Sequence, residues 1–307
     1  MRKVIGIGET ILDIIFQNNQ PQKAVPGGST FNCMISLGRC KVPALFISEL
    51  GNDRVGELIK GFMKENNLST DYIDFFEEGQ SPVSMAFLDE NQNAEYQFYK
   101  EFPKQRLNIE FPVIHKNDIV ILGSYFAVNS VLREKVKALL VYAKKQGAII
   151  YYDINFRKAH AGDRLRLMTN FIENFQYSTV VRCSDEDLQT LYPDESLEDI
   201  YTNRLSHYCN NWIITKGEKG VLLKTSSFQK EYQTEAVTPV STIGAGDNFN
   251  AGFVLGLLQH AIELNNLAAL PEKKWDNLID LAQLFAKEVC LSMDNYVSPE
   301  FAVRFRQ

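Results

Sequence analysis

The segment "STIGAGDNFNAGF", residues 241–253, sets Gly244, Ala245 and Gly246 directly before Asp247 and an apolar helical run. Small side chains let main-chain N–H groups close on an anion, and a helix N-terminus adds partial positive charge. An acid in the same turn repels that anion unless a metal or a proton transfer is involved, which points to a general base. An aspartate that only caps a helix after a flexible turn fits the same residues.

Three further clusters carry polar chemistry. "VPGGSTFNCMISLG", residues 25–38, also leads from glycines into a helix and offers Asn32 one turn in. Asp13 stands between aliphatic neighbours and needs a partner or water. With Asn32 it suits recognition of hydroxyls, although an aspartate satisfied by main-chain donors at a strand end fits too. "TKGEKGV", residues 215–221, follows the apolar "WIIT" and suits either a nucleotide against the sheet edge or a plain β-turn. In "YDINFR", Asp153, Asn155 and Arg157 alternate, which predicts one shared face, and Arg suits a phosphate.

These clusters need a scaffold, and the hydrophobic pattern describes one. Short apolar runs ("KVIGIG", "ALFISEL", "DIVILGS", "AIIYYDIN", "STVVRC", "NWIITKG") alternate with helical spacing such as "DRVGELIKGFMKENN" and "SVLREKVKALLVYAKKQG". That order predicts an α/β fold, a mostly parallel sheet with helices on both faces, as a single domain over residues 1–307. Residues 14–26 and 71–100 instead alternate polar with apolar or aromatic residues, the second stretch around a turn-like "DENQN". They predict a small β-sheet outside the core. A lid over the carboxyl ends of the core strands fits it, and so does an edge sheet or a dimer contact. Phe98 and Tyr99 supply rings that can stack on a ligand or fill the sheet.

Composition narrows the partners. The 307 residues are 45% hydrophobic and 23% charged, with a net charge of -6, which disfavours a nucleic-acid groove and favours a small molecule. Five scattered cysteines without a C-x-x-C pair read as reduced thiols. Glu9 and Asp13 interrupt the apolar start, so "MRKVIGIGETILDIIF" reads as a first strand rather than a signal peptide, and the protein as cytoplasmic. No G-x-x-x-x-G-K-[ST], G-x-S-x-G or H-E-x-x-H occurs, and "GIGETI" lacks the third glycine of a dinucleotide fingerprint. P-loop chemistry, triad or zinc hydrolysis and hydride transfer lose support. A ligand sensor that kept a catalytic fold is a rival, but has no need of Asp247.

The motifs together resemble those of the ribokinase-like sugar kinases, the PfkB carbohydrate kinase family. "PGGSTFNCMISLGR" followed by "GNDRVG" is similar to the family's first signature, and "STIGAGDNFNAGF" to its second. The likeness runs through nearly the whole chain. It implies a three-layer ribokinase-like fold with a β lid, and phosphoryl transfer from ATP with Mg²⁺ carried mainly by the ATP phosphates. By the same resemblance Asp247 takes the proton of a sugar hydroxyl, and the backbone of Gly244, Ala245 and Gly246 stabilises developing charge. Arg157 acts near the transferred phosphate and Asn155 orders the phosphate and metal end. Asp13, Gly28, Asn32 and Tyr99 belong to the sugar, and Thr215, Gly217, Gly220 and Asp187 to the nucleotide end. "GETILDII", "SPVSMAFL" and "RCSDEDLQTLY" are most similar to the fructokinase branch, implying fructose as substrate, with ribose, 2-keto-3-deoxygluconate or a nucleoside as alternatives. A homodimer through the lid is a further expectation.

Three positions depart from the family's pattern. Ser241 and Ile243 stand where relatives have Asp and often Thr that help hold a monovalent cation, so potassium activation is not expected. Asp187 closes the motif that relatives end with Glu, one methylene shorter, with Ser184 at its start, which turns attention to Glu186 for ordering Mg²⁺. Lys100 replaces a lid Arg found in several relatives.

Overall fold

The computed structural model describes residues 2–88 and 94–306. Among these, the larger sheet has nine strands. In chain order they are β1 (Val4–Ile7), β4 (Ala44–Gly51), β5 (Ile73–Phe76), β8 (Ile119–Gly123), β9 (Ile149–Asp153), β10 (Val180–Ser184), β11 (Trp212–Thr215), β12 (Val221–Lys224) and β13 (Gln229–Tyr232). The intervening numbers belong to a four-stranded sheet of β2 (Ile11–Gln17), β3 (Gln20–Gly27), β6 (Gln80–Leu88) and β7 (Ala94–Glu101). The large sheet runs β13-β12-β11-β10-β9-β8-β1-β4-β5, and only β12 and β13 join it antiparallel.

Strand periodicity explains the layers, because successive side chains point to opposite faces. Val4, Ile119, Ile121, Ile149 and Tyr151 pack with Phe31, Met34, Phe253 and Leu278 on one face. Ile5, Val120, Leu122, Ile150 and Tyr152 pack with Val136, Leu140, Phe171 and Phe175 on the other. With both faces covered, strands such as β8 and β9 are buried at every residue, which is why they read as continuous apolar runs.

The small sheet leaves the large one at the carboxyl ends of β1 and β4. Thr10 Oγ1 donates to the Glu49 carbonyl at 3.3 Å, and Gly51 N–H donates to Ser81 Oγ at 2.9 Å. On the return path, the buried Glu49 carboxylate accepts from Arg106 Nε at 2.8 Å and from Leu107 N–H at 3.0 Å. Two boundaries differ from the expectation. The small sheet begins at Ile11 rather than 14, so Asp13 lies inside it, and the apolar opening of the chain splits into one strand of each sheet. Residues 73–76 pair with β4 in the large sheet instead. Alternation marks a half-exposed strand, and an edge strand of a parallel sheet is also half exposed. The "DENQN" turn falls outside the described residues.

All five cysteines are free thiols. Among the described residues no helix is long and apolar enough to cross a membrane.

Candidate active site

Asp247 sits in the first turn of the helix Ala245–Gln259, buried, at the carboxyl end of the large sheet. Gly244 enters that turn at φ +80°, and a Cβ there would lie 2.7 Å from the Asn295 carbonyl, so glycine is required on both counts. Asn248 clamps the turn from behind, donating through Nδ2 to the Gly244 and Asn295 carbonyls at 2.8 Å each. Ser36 Oγ donates to its Oδ1 at 2.5 Å. The turn is thus tied to the helix Ser29–Arg39 and to the C-terminal segment before any ligand binds.

The carboxylate of Asp247 is gripped at both oxygens. Oδ1 accepts from Ser29 Oγ and Oδ2 from Asn32 Nδ2, each at 2.8 Å. Residues three apart share a helix face, so the two donors converge from one turn. Ser29 Oγ accepts in turn from Asn155 Nδ2 at 2.7 Å, forming a chain from Asn155 through Ser29 to Asp247. Gly28, at φ +125°, starts this helix hard against the Glu9 carbonyl, where a Cβ would sit at 2.2 Å. Asn32 Oδ1 is buried and accepts no hydrogen bond from the described residues.

Burial pushes the Asp247 carboxyl above its ordinary range, opposed by the Asn32 and Ser29 hydrogen bonds and by the charges of Arg157 and Arg182. Asp13 is likewise raised by burial, to about 6, against a hydrogen bond from Ser84 and the charge of Arg157. Arg157, at the exposed start of the loop after β9, therefore acts on both carboxylates. A carboxylate held above its usual range is a stronger proton acceptor than an ordinary one.

The alternation expected over 153–157 ends with the strand. Asn155 takes φ +37°, and beyond Asp153 the side chains no longer share a face. Asp153 points inward to Arg182 Nη1 at 3.1 Å and Asn250 Nδ2 at 2.7 Å, whereas Asn155 reaches Ser29. Thr215 ends β11 and accepts from Arg182 Nη2 at 2.7 Å. "TKGEKG" is the turn into the antiparallel β12, with Gly217 at φ +56° and Gly220 at φ +97°. A Cβ on Gly220 would lie 2.0 Å from the Tyr232 carbonyl, so its glycine has a structural reason apart from any nucleotide. Ala245 N–H closes a turn onto the Thr242 carbonyl at 3.3 Å.

Of two further expected site residues, one turns away from Asp13 and the other is engaged by the main chain. Tyr99 pairs with Val83, whereas Asp13 pairs with Ser84 and Ser84 with Phe98. Lateral partners share a face and neighbours along a strand do not, so Phe98 shares Asp13's face and Tyr99 occupies the opposite one. Asp187 is a helix cap rather than an open ligand. Its Oδ1 accepts from Phe156 N–H at 2.8 Å and its Oδ2 from Ser184 N–H at 2.7 Å, while Ser184 Oγ accepts from Asp187 N–H. Asp187→Ala is therefore expected to cost about 1–3 kcal/mol of stability through the lost cap and the freed Phe156 amide. A thermal melt checks this, since a residue serving only the nucleotide would raise KM for ATP without moving Tm.

Comparison with known proteins decides the family. The model of the pfkB family carbohydrate kinases matches residues 1–300. The chain belongs to the PfkB family of carbohydrate kinases. It is accordingly a phosphotransferase acting on a sugar hydroxyl. Among curated relatives, the fructokinase of Rhizobium leguminosarum bv. trifolii is 28% identical over 89% of this chain and 86% of its own. Probable fructokinase-4 of Arabidopsis thaliana is 25% identical over 88% and 86%. Among solved structures, the fructokinase of Vibrio cholerae O395 with fructose, ADP and calcium superposes with a TM-score of 0.82 at 20% identity, covering 100% of this chain and 99% of that one. The aminoimidazole riboside kinase of Salmonella enterica, with its riboside and an ATP analog, gives 0.83 at 18% identity, covering 99% of each chain. These likenesses establish the ribokinase-like fold.

Ser29, Arg182 and Asn250 join the cluster around Asp247 without a motif of their own that marks them. Ser29 stood inside the quoted "PGGST", and its hydroxyl one residue past a glycine cluster was the available signal. Arg182 is an arginine inside an apolar strand, which also called for a partner.

Proposed function

We propose that the chain transfers the γ-phosphoryl group of ATP to fructose, giving fructose 6-phosphate. The observation that carries this reading is the Asp247 carboxylate, gripped by Ser29 and Asn32 beside the glycine-bounded N-terminus of its helix. Asp247 takes the proton as the sugar oxygen bonds to the γ-phosphorus, and the bond from that phosphorus to the bridging oxygen breaks to release ADP. The main chain of Gly244, Ala245 and Gly246 faces the phosphoryl oxygens, with Arg157 at their other side. Asp13 and the open Asn32 Oδ1 accept from sugar hydroxyls, and Thr215, Gly217 and Gly220 border the nucleotide.

Among the described residues no group of three or more His, Cys, Asp or Glu converges as a metal cage. In this reading Mg²⁺ would arrive on ATP, with waters and substrate phosphates as its ligands, and would neutralise phosphate charge. The choice of fructose rests on the relatives named fructokinase. The riboside kinase among the structural neighbours keeps a nucleoside in view.

ADP release from Mg-ATP across fructose, ribose, glucose, 2-keto-3-deoxygluconate and adenosine, with and without potassium, is the test. The expected result is turnover on fructose at least tenfold above the others and insensitive to potassium. A different preferred acceptor would overturn the substrate, and turnover on none would overturn the whole proposal.

A further inference from the structure

We propose that Arg182 is a positioning residue for phosphoryl transfer: its buried guanidinium, seated against Gly246, holds a fixed positive charge behind the turn that presents Asp247. The inference rests on Asp247 being the base.

The geometry is close and enforced. A Cβ on Gly246 would lie 2.8 to 3.2 Å from three atoms of the guanidinium, so only glycine admits it. Gly246 does not have positive φ, and its glycine therefore serves approach rather than backbone freedom. Arg182 is 6% exposed and is pinned by Asp153 through Nη1 at 3.1 Å and by Thr215 through Nη2 at 2.7 Å. Asp153 is in turn held by Asn250 at 2.7 Å, on the same helix as Asp247. The charge is thus fixed relative to the helix through Asp153 and the Asn250 of its second turn rather than by a flexible stem.

Stability alone does not explain the arrangement. A cation beside a helix N-terminus opposes the macrodipole, which favours anions there. Arg182 Nε is also buried without a hydrogen-bond partner, a cost that an ion pair kept for stability would be expected to avoid. The opposition to the macrodipole is relieved once an anionic group occupies the turn, and the proposed reaction places one there in the transferred phosphoryl oxygens. Breaks of local rules of this kind concentrate where function requires them.

The charges facing Asp247 give the inference a sign. They are Asp13 from β2, Arg157 from the loop after β9, Asp153 from β9 and Arg182 from β10, with the neutral thiol of Cys33 and the donors Ser29 and Asn32 from the facing helix. Arg182 favours the ionised base, whereas Asp153 disfavours it. Removing one charge or the other should move the base in opposite directions.

The experiment is the pH dependence of kcat for wild type, Arg182→Met, Arg182→Lys and Asp153→Asn with the best acceptor and Mg-ATP, alongside thermal melts. The expected result is a loss of about 10- to 100-fold in kcat for Arg182→Met, with its acid limb displaced to higher pH. Arg182→Lys should recover most of the rate and limb, and Asp153→Asn should displace the limb to lower pH. Should Arg182→Met fail to fold, Arg182→Gln, which keeps a donor for Thr215 but no charge, takes its place with the same expected displacement of the acid limb. Acid limbs superposed on wild type, with losses that only track Tm, would overturn the positioning role. If Asp247→Asn also kept wild-type turnover, the underlying base assignment would be what had failed.

Discussion

Asp247→Asn is expected to lower kcat by roughly two orders of magnitude or more while leaving KM for sugar and nucleotide within a few-fold. The substitution keeps the shape of the carboxylate and removes its ability to take a proton. The introduced amide oxygen still accepts from Asn32 Nδ2, and its NH₂ group can donate to Ser29 Oγ, which leaves Asn32 Oδ1 open to the sugar. The fold should therefore survive. It should even gain: burial raises the Asp247 pKa, so the folded protein disfavours the charge, and that cost grows as pH climbs from the ordinary carboxylate range through the raised value. A neutral amide escapes it, and Tm should rise at neutral pH with the gain vanishing near pH 4. Steady-state kinetics beside thermal melts checks both arms. Turnover within threefold of wild type would remove Asp247 from the mechanism.

What could be read from the chain depended on how local the determining physics is. The layered α/β core was legible because fully buried strands such as β8 and β9 leave continuous apolar runs and the helices between them leave a 3.6-residue period. The tight turn before Asp247 was legible because Gly244 and Gly246 answer to contacts only glycine permits. Other features depend on pairing across distant segments. Nothing within residues 94–101 says whether Phe98 or Tyr99 faces Asp13; the register of β6 with β2 and β7 decides it. Asp187 resembled a cofactor residue because its neighbours match a motif, yet the amide of Phe156, 31 residues away, takes its side chain. Arg182 was invisible as a site residue because its meaning comes from Gly246, Thr215 and Asp153, contributed by three separate elements.

Asp13→Asn should separate binding from stability in the same way at the sugar end. Asp13 stands on the inner row of the small sheet, joined to Ser84, and a Cβ on Gly27 would strike its Oδ2, so the carboxylate is closely packed. As the charged acceptor for sugar hydroxyls it would contribute about 1.5–3 kcal/mol per hydrogen bond. Its loss is expected to lower kcat/KM for the sugar by roughly 10²- to 10³-fold, with KM for ATP little changed. The fold should respond oppositely. The folded pKa of about 6 lies above the ordinary aspartate value of 3.8, so ionisation costs stability increasingly between those values and fully above about 6. Removing the charge should add about 1–3 kcal/mol at pH 7.5, a rise of a few degrees in Tm, and nothing near pH 4. An aspartate kept to satisfy the main chain would behave the other way, since replacing it would lower Tm at neutral pH and leave kcat/KM near wild type. The two measurements together therefore distinguish a carboxylate held for a substrate from one held for the fold.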